Sequence, residues 1–209
     1  MDRIVIADDH PLFRAALVSA LSRAAPGREV VETPSLQGAR EALAAGGTAI
    51  GLLLLDLKLS DSDGFAGLTG IRADYPAVPV AVVSASEDAR TVRRALAFGA
   101  SGFIPKSADL DQMVLAISAV LEGETWTPEG LEPENAETAE MEARIASLTP
   151  SQLRILVGLK KGRLNKQIAW DLGVTEATIK AHLTGVFRKL GVHNRTQAVI
   201  AAQSLELEG

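Results

Sequence analysis

Two short runs of almost continuous apolar residues place the strongest constraint on how this chain can fold. They read "GLLLLD" at 51–56 and "VPVAVVSA" at 78–85. Such runs are typical of strands that are buried on both faces of a parallel sheet. Three further apolar runs lie at 3–8, 29–33 and 102–106, with helical stretches between them. Five strands that alternate with five helices predict a doubly wound α/β domain with a five-stranded parallel sheet over residues 1–122.

The end of the chain has a different character, because it is helical and carries clear start and stop signals. "TPSQ" at 149–152 places Thr at a helix N-cap and Gln three residues later, which is a capping box. A short helix over 165–173 and a longer one over 175–191 follow, and each ends at a glycine. A fourth helix begins at Asn194 and ends near Leu205. This pattern predicts a helix-turn-helix within a small all-α four-helix domain over residues 148–209.

Charge separates the two parts of the chain, whose net charge is −5. Residues 1–146 carry 12 Lys and Arg against 22 Asp and Glu, whereas residues 147–209 carry 9 against 4. A basic end on an acidic protein fits contact with nucleic acid. The stretch 123–147 is acidic and contains proline, which predicts a linker. We expect Trp126, within this stretch, to pack on one of the domains.

Composition excludes several classes of protein. The chain has no cysteine, so it forms neither disulfides nor thiolate metal sites, and three scattered histidines argue against structural zinc. No apolar run approaches the roughly 20 residues that cross a bilayer. The first residues, "MDRIVIADD", lack a basic segment followed by an apolar core. We therefore expect a cytoplasmic location.

Polar residues follow four of the five predicted strands. They are Asp8 and Asp9 after the first, Asp56 after the third, Ser84 at the end of the fourth and Lys106 after the fifth. Because the carboxyl ends of parallel strands share one edge of a sheet, we expect these groups to lie close together. Carboxylates bind Mg²⁺ through oxygen, which relieves the repulsion between adjacent aspartates. A lysine and a hydroxyl suit a phosphoryl group, with Asp56 as the nucleophile that forms an acyl phosphate.

The motifs of both parts match known families. Residues 1–122 resemble the flavodoxin-like receiver domain of bacterial two-component response regulators, through "ADDH", "LLLLDLKLSDSDG", "VVSAS" and "GASGFIPK". Residues from 148 to about 205 resemble the LuxR/NarL-type DNA-binding domain, through "LTPSQLRIL", "NKQIAWDLGVTEATIKAHLTGVFRKLGV" and "NRTQAV". The resemblance implies a transcriptional regulator that is controlled by phosphorylation. It also implies that the protein is not an enzyme beyond catalysing its own phosphoryl transfer and dephosphorylation.

The receiver resemblance implies a role for each residue at the strand ends. Asp56 is the phosphoacceptor, and a sensor histidine kinase is the donor. Asp9 and Asp56 bind Mg²⁺ directly, helped by the backbone carbonyl of Lys58, while Asp8 acts mainly through a metal-bound water. Ser84 and Lys106 hold the phosphoryl oxygens.

Three further residues of this domain also occupy positions of interest. Phe103 matches an aromatic position that turns inward on activation, although simple core packing explains it equally well. His10 is expected to be no more than a neighbour of the first helix. Ser60 stands where the family usually has proline, so the loop after Asp56 is expected to be more mobile.

The effector resemblance implies that the helix beginning at Thr175 enters the major groove of promoter DNA. Lys180, Ala181 and Thr184 occupy positions that the family uses for base edges. Candidate phosphate contacts are Lys160, Lys161, Lys166, Arg188, Lys189 and Arg195, of which about half are expected to be ordinary solvated charges. Phosphorylation is expected to switch dimerisation and DNA binding of a homodimer.

Two other functions remain open from the residues alone. One is a regulator that binds DNA independently of phosphorylation and uses the first domain only to dimerise. The other is an Mg²⁺-dependent phosphohydrolase with Asp56 as nucleophile. Hydrolases of that kind generally show an Asp-x-Asp pattern and a substrate cap, whereas Lys58 stands two residues after Asp56 and no cap insertion is evident.

Overall fold

The structure is a computed structural model that describes residues 3–46, 50–62, 64–128 and 136–202. The chain divides into two compact units, over Met1–Pro133 and Glu134–Gly209. The first unit thus reaches beyond residue 122, where the sequence predicts that the first domain ends. Within the described ranges, no helix is long and apolar enough to cross a membrane.

The first unit is built on a parallel sheet of five strands in the order β2-β1-β3-β4-β5. The strands are β1 (Arg3–Ala7), β2 (Val30–Thr33), β3 (Ile50–Asp56), β4 (Val80–Ser84) and β5 (Gly102–Pro105). Every residue of β4 and all but Gly51 of β3 are buried, as the continuous apolar runs predict. Strand β4 begins two residues later than predicted, after Pro79, which has no amide hydrogen to donate. The predicted α/β doubly wound sheet is confirmed.

Helices cover both faces of this sheet. They are α1 (Pro11–Ala24), α2 (Leu36–Gly46), α3 (Phe65–Asp74), α4 (Ala89–Ala97) and α5 (Leu110–Leu121). Helices α1 and α5 pack on one face, where Leu17, Leu21 and Ile117 meet alternate strand residues such as Ile6 and Leu54. The remaining three helices contribute Leu43, Leu68 and Val92, among others, to the buried core. Since side chains alternate across a strand, β1, β3, β4 and β5 supply residues to both halves of the core.

Residues after α5 add to the open edge of the sheet. Trp126 forms a parallel bridge with Gly102, because its carbonyl accepts a hydrogen bond from Phe103 N–H at 3.0 Å and its N–H donates to Ser101 O at 3.2 Å. The indole packs against the core on the α1 and α5 face. The start of the predicted linker therefore belongs structurally to the first unit, and the expectation that Trp126 packs on a domain is confirmed.

The second unit is helical throughout its described part. Its helices are α6 (Ala136–Ala146), α7 (Pro150–Lys160), α8 (Asn165–Asp171), α9 (Glu176–Leu190) and α10 (Arg195–Ala201). Helices α6, α7, α8 and α10 all contact α9. Its core includes Leu156, Ile168, Ile179 and Val186. The four predicted helices are present, and α6 is an addition to them; the predicted end of the last helix near Leu205 lies outside the described residues.

The caps of the helix-turn-helix match the sequence pattern. Thr149 and Gln152 form the capping box, and Thr175 Oγ1 accepts a hydrogen bond from Thr178 N–H at 3.2 Å at the start of α9. Gly191 ends α9 with φ of +69°, a left-handed conformation in which glycine avoids the strain of a Cβ atom. Helix α9 therefore has defined ends, which set the residues that its exposed face presents.

Candidate functional site

The strand order places the carboxyl ends of β1 and β3 side by side at a switch point of the sheet. The chain runs outward from these neighbouring strands in opposite directions across the sheet, and ligands of open α/β sheets bind at such a switch point. Asp8 follows β1 directly, and Asp56 is the last residue of β3. Both side chains are almost fully buried. Two carboxylates are thus held below the surface at the place where the fold favours a ligand.

Lys106 brings a positive charge to these carboxylates from the end of β5. Its Nζ lies 2.7 Å from Asp8 Oδ2 and 2.8 Å from Asp56 Oδ2. The same ammonium group stands 5.0 Å from the centre of the Phe13 ring, which adds a cation–π contact. Burial lowers the pKa of Lys106, but the hydrogen bonds and charges of Asp56 and Asp8 raise it more, so that the pKa lies above its usual value. Lys106 therefore stays charged at neutral pH.

Asp9 and His10 complete a cluster of possible metal-ligating groups around this position, which contains three carboxylates and one imidazole. The His10 Nδ1 atom lies 2.7 Å from Asp9 Oδ1, 3.3 Å from Asp8 Oδ1 and 3.9 Å from Asp56 Oδ2. Ligand atoms of these four residues all lie within 4.8 Å of one another. Asp9 is partly exposed and His10 mostly so, which leaves the cluster open to solvent on one side.

This donor set fits a hard divalent cation. Three carboxylates converge on one point, and oxygen is the ligand atom that Mg²⁺ prefers. In the structure the negative charge is opposed by the Lys106 ammonium group and approached by the His10 ring. The acidic cluster of Asp8, Asp9 and Asp56 is of the type that binds Mg²⁺ in receiver domains.

The backbone of the loop after β3 is turned towards Asp56. The Lys58 N–H donates a hydrogen bond to Asp56 Oδ1 at 2.9 Å, and the Leu57 N–H donates to Val83 O at 3.3 Å. Leu57 is buried while the Lys58 side chain is exposed. The loop therefore begins in a defined conformation beside the carboxylate.

Ser84 is fully buried at the end of β4 and begins a chain of hydrogen bonds through the next loop. Its Oγ accepts from Ser86 N–H at 3.1 Å. The Ser86 hydroxyl donates to Asp88, and Asp88 Oδ1 accepts from Thr91 N–H at 2.8 Å in the first turn of α4. The backbone of Ser84 also contacts Lys106, because the Lys106 N–H donates a hydrogen bond to Ser84 O at 2.7 Å. Ser84 is thus linked to both Lys106 and α4.

Phe103 lies in the middle of β5 and is fully buried. Ile104, next to it, belongs to the core on the α1 and α5 side, so Phe103 faces the opposite side of the sheet, where α4 contacts β5. The structure therefore holds this aromatic ring inside the protein.

The second candidate site is the outer face of α9. Ile179, Leu183, Val186 and Leu190 form its buried stripe. The predicted base-contacting residues Lys180, Ala181 and Thr184 are exposed, as is Arg188. Lys180 Nζ lies 3.3 Å from Glu176 Oε1, an exposed pair that costs little to break.

The predicted phosphate-contacting lysines differ in their surroundings. Lys166 is exposed on α8, beside the nearly fully exposed indole of Trp170. Lys189 is partly buried, and its Nζ donates to Ser147 O at 2.6 Å, so it also joins α9 to the end of α6. Arg195 Nη2 likewise donates a hydrogen bond to Arg163 O at 2.6 Å. Lys189 and Arg195 thus have structural contacts that their sequence positions did not indicate.

Two further residues at the strand ends were missed by the sequence reasoning. The His10 ring reaches into the acidic cluster, whereas the sequence suggested a mere helix neighbour. Arg14 Nη1 donates a hydrogen bond to Asp8 O at 2.6 Å, and its guanidinium group lies near Glu32. The sequence offered one signal for each residue. His10 directly follows the aspartate pair, and Arg14 lies one turn into α1.

Comparison with protein families identifies both parts. The response regulator receiver domain matches residues 4–118, and the luxR family of bacterial regulatory proteins matches residues 146–202. The glycerol metabolism activator of Pseudomonas putida is 38% identical over 219 aligned positions, which cover 99% of this chain and 97% of the relative. The nitrate/nitrite response regulator NarP of Escherichia coli is 31% identical over 201 positions, covering 95% and 93%.

Solved structures similar to all or part of the chain were also found. A LuxR family DNA-binding response regulator from Silicibacter pomeroyi is 35% identical, with a TM-score of 0.54, and covers 62% of this chain and 98% of its own. An RcsB–DNA complex has a TM-score of 0.57 at 22% identity, over 97% of this chain and 98% of its own. At this identity the second likeness concerns the fold alone.

A receiver fold with an acidic site at its switch point, followed by a helix-turn-helix unit, defines a response regulator. The chain belongs to the response regulators that carry a LuxR-family DNA-binding domain. It is a transcriptional regulator of this family, and this assignment argues against the phosphohydrolase alternative.

Proposed function

We propose that Asp56 accepts a phosphoryl group from a sensor histidine kinase and that this event controls promoter binding. The observation that carries the proposal is the Lys106 ammonium group, which lies between the buried carboxylates of Asp8 and Asp56. A charge held at this depth, beside an open acidic cluster, is suited to stabilise a second anion that is added to Asp56.

The chemical step is a displacement at phosphorus. An oxygen of the Asp56 carboxylate attacks the phosphorus of a phosphohistidine, an O–P bond forms as the N–P bond breaks, and the imidazole leaves. Dephosphorylation follows when water attacks the same phosphorus, which returns the carboxylate and releases phosphate. We propose that the receiver domain itself catalyses both steps, so no other enzymatic activity is assigned.

Asp8, Asp9, Asp56 and the carbonyl of Lys58 are the groups proposed to hold Mg²⁺. When bound, the ion neutralises the negative charge of the phosphoryl oxygens. Asp9, which is partly exposed, is proposed as a direct ligand, and Asp8, which is paired with Lys106, as one that acts through water. Each assignment can be checked by separate Asp→Asn changes and Mg²⁺ titration.

Ser84 and Lys106 are proposed to hold the phosphoryl oxygens once Asp56 is modified. Ser84 would then exchange its bond from Ser86 N–H for one to the phosphoryl group, which changes the loop that leads to α4. Phe103 is proposed to take part in the same change, since β5 lies beside α4. Its complete burial agrees with the inward position and with simple core packing alike.

Helix α9 is proposed to enter the major groove of promoter DNA. Lys180, Ala181 and Thr184 would meet base edges, and Arg188, Lys166 and Lys189 would contact phosphates. The exposure of the first four residues named supports this assignment. We further propose that the active form is a homodimer. We also propose that it works in the cytoplasm, because the chromosome of a bacterium lies there.

Residues 1–122 are proposed as the receiver, 123–147 as the linker and 148–209 as the DNA-binding domain. Near the start of that linker, Trp126 pairs with β5. At its other end, helix α6 belongs to the second unit.

The chemical claim is tested by treating the purified protein with a small-molecule phosphodonor and Mg²⁺. The product is reduced with borohydride, which converts an acyl phosphate to an alcohol, and the modified residue is mapped by mass spectrometry. We expect the mark at Asp56 alone. Modification elsewhere, or none, would refute the assignment. DNA binding that is independent of phosphorylation is the remaining alternative, and a comparison of DNA selection by wild type and Asp56→Asn separates the two.

A further inference from the structure

Asp61 ties the loop that follows β3 to the first turn of α2. Its Oδ1 accepts a hydrogen bond from Leu36 N–H and its Oδ2 accepts one from Gln37 N–H, both at 2.9 Å. Burial raises the pKa of the Asp61 carboxyl, but the amide bonds lower it more, so the pKa lies below its usual value. A charged carboxylate near a helix N-terminus makes a favourable tether, although Asp61 itself is exposed.

Helix α2 has another cap that does not involve this loop. Ser35 Oγ accepts a hydrogen bond from Gly38 N–H at 3.1 Å, which is the usual N-cap arrangement. Both Asp61 and Ser35 thus cap α2, so capping is not the feature that distinguishes Asp61. The distinguishing feature is the connection across 24 and 25 residues of chain to the loop beside Asp56.

The loop is anchored at its start and turns at its far end. Leu57 and Leu59 are buried, and Lys58 between them donates its N–H to Asp56. The Ser62 N–H then donates to Leu59 O at 3.0 Å, which closes a four-residue turn with Ser60 and Asp61 in its centre. The bonds from Asp61 to α2 hold that turn in place relative to the sheet.

We propose that Asp61 is a positioning residue for phosphoryl transfer. By fixing the turn, it holds the backbone of Lys58 in the orientation that presents the carbonyl group to the acidic cluster. This inference rests on the proposed role of that carbonyl as a ligand for Mg²⁺. Asp61 itself touches neither the ion nor the phosphoryl group.

The test compares two variants of the full chain that each remove one cap of α2. Asp61→Ala frees the loop as well, whereas Ser35→Ala leaves it tethered. Mg²⁺ affinity is measured by calorimetric titration with MgCl₂ alone. We expect Asp61→Ala to weaken Mg²⁺ binding by about tenfold, the lower end of the effect of residues that orient metal ligands. Ser35→Ala is expected to bind Mg²⁺ as the wild type does.

A rescue variant separates positioning from a general loss of structure. Proline is favoured at the second position of such a turn, so Ser60→Pro stiffens the loop without restoring a bond to α2. We expect Asp61→Ala with Ser60→Pro to recover most of the Mg²⁺ affinity and of the rate of phosphorylation by the small-molecule donor.

The outcomes are distinguishable. Equal affinity in wild type and Asp61→Ala, equal losses in Asp61→Ala and Ser35→Ala, or no recovery with Ser60→Pro would overturn the positioning role. A wild-type protein that fails to bind Mg²⁺ would overturn the proposed cation site itself, and the inference with it.

Discussion

The ammonium group of Lys106 is paired with the two buried carboxylates of Asp8 and Asp56, and the free energy of folding depends on that balance. Replacing Lys106 with methionine leaves Asp8 and Asp56 buried without their cation. We expect the free energy of unfolding at pH 7 to fall by about 3 kcal/mol, the lower end of the cost of breaking a buried ion pair. Urea unfolding measures this loss. Lys58→Met, at an exposed position in the same region, is the control and should change little.

The pH dependence of this difference follows from the pKa of Lys106. Because that pKa is raised in the folded protein, the stabilisation is fully present below the ordinary lysine value of 10.5. It is lost as the pH rises through the folded value. Wild type and Lys106→Met should therefore converge in stability above pH 10.5, and a gap that persists or widens there would contradict the ion-pair account.

The strand-end groups could be identified from the sequence because each follows a hydrophobic run that ends at one edge of a parallel sheet. The contacts of His10 and Asp61 could not. His10 reaches the cluster only through the direction in which α1 leaves β1, and Asp61 meets α2 through a fold that brings distant residues together. Such contacts between elements depend on the tertiary fold, so a local sequence pattern does not predict them.

Elements of the first unit end where hydrogen bonding ends, which explains how their bounds differ from the predicted ones. Strand β3 begins one residue earlier than the apolar run, and β4 is shorter at both ends. Trp126 is a clearer case, since a lone aromatic in a polar stretch predicts packing but not its partner. The structure shows that this partner is Gly102 of β5.

The contact of Trp126 with the core predicts a stability effect. Trp126→Ala should destabilise the first unit by about 2 kcal/mol, less than a fully buried tryptophan contributes, because the indole is only partly buried. Thermal or urea unfolding measures the change. Trp170→Ala is the matched control, since the Trp170 side chain is 87% exposed. Equal effects of the two substitutions would show that Trp126 is not part of the first unit's core.

The loop from β4 to α4 is expected to depend on Asp88 as an N-cap. Asp88→Ala removes the acceptor of the Thr91 N–H and the partner of Ser86, and should cost about 1 kcal/mol. Asp88→Asn keeps a capping oxygen and should retain most of the stability. Urea unfolding of the three proteins checks this order, and an unaffected Asp88→Ala would contradict the hydrogen-bonded chain from Ser84 to α4.

Helix α9 leads to a prediction about DNA that separates affinity from sequence preference. Lys180→Ala should alter the preferred bases, whereas Arg188→Ala should weaken binding to all sequences and lower the salt slope by about one. Binding-site selection and salt titration measure these effects. Arg23→Ala, which removes an exposed positive charge from α1, is the control and should leave both unchanged.

The whole molecule joins an acidic part, residues 1–146, to a basic part, residues 147–209. The proposed regulation requires that a change at Asp56 reaches the DNA-binding domain. The opposite net charges of the two parts were readable from the sequence, as were the two families. The promoter and the kinase are not encoded in any local pattern, because both depend on surfaces that complement a partner.

The most direct measurement compares wild type with Asp56→Asn, each treated with a small-molecule phosphodonor and Mg²⁺. Oligomeric state is measured by light scattering and DNA preference by selection from a random pool, in the same samples. We predict that the wild type shifts towards a dimer and enriches a defined sequence, while Asp56→Asn does neither. If both proteins respond alike, phosphorylation of Asp56 does not control this regulator.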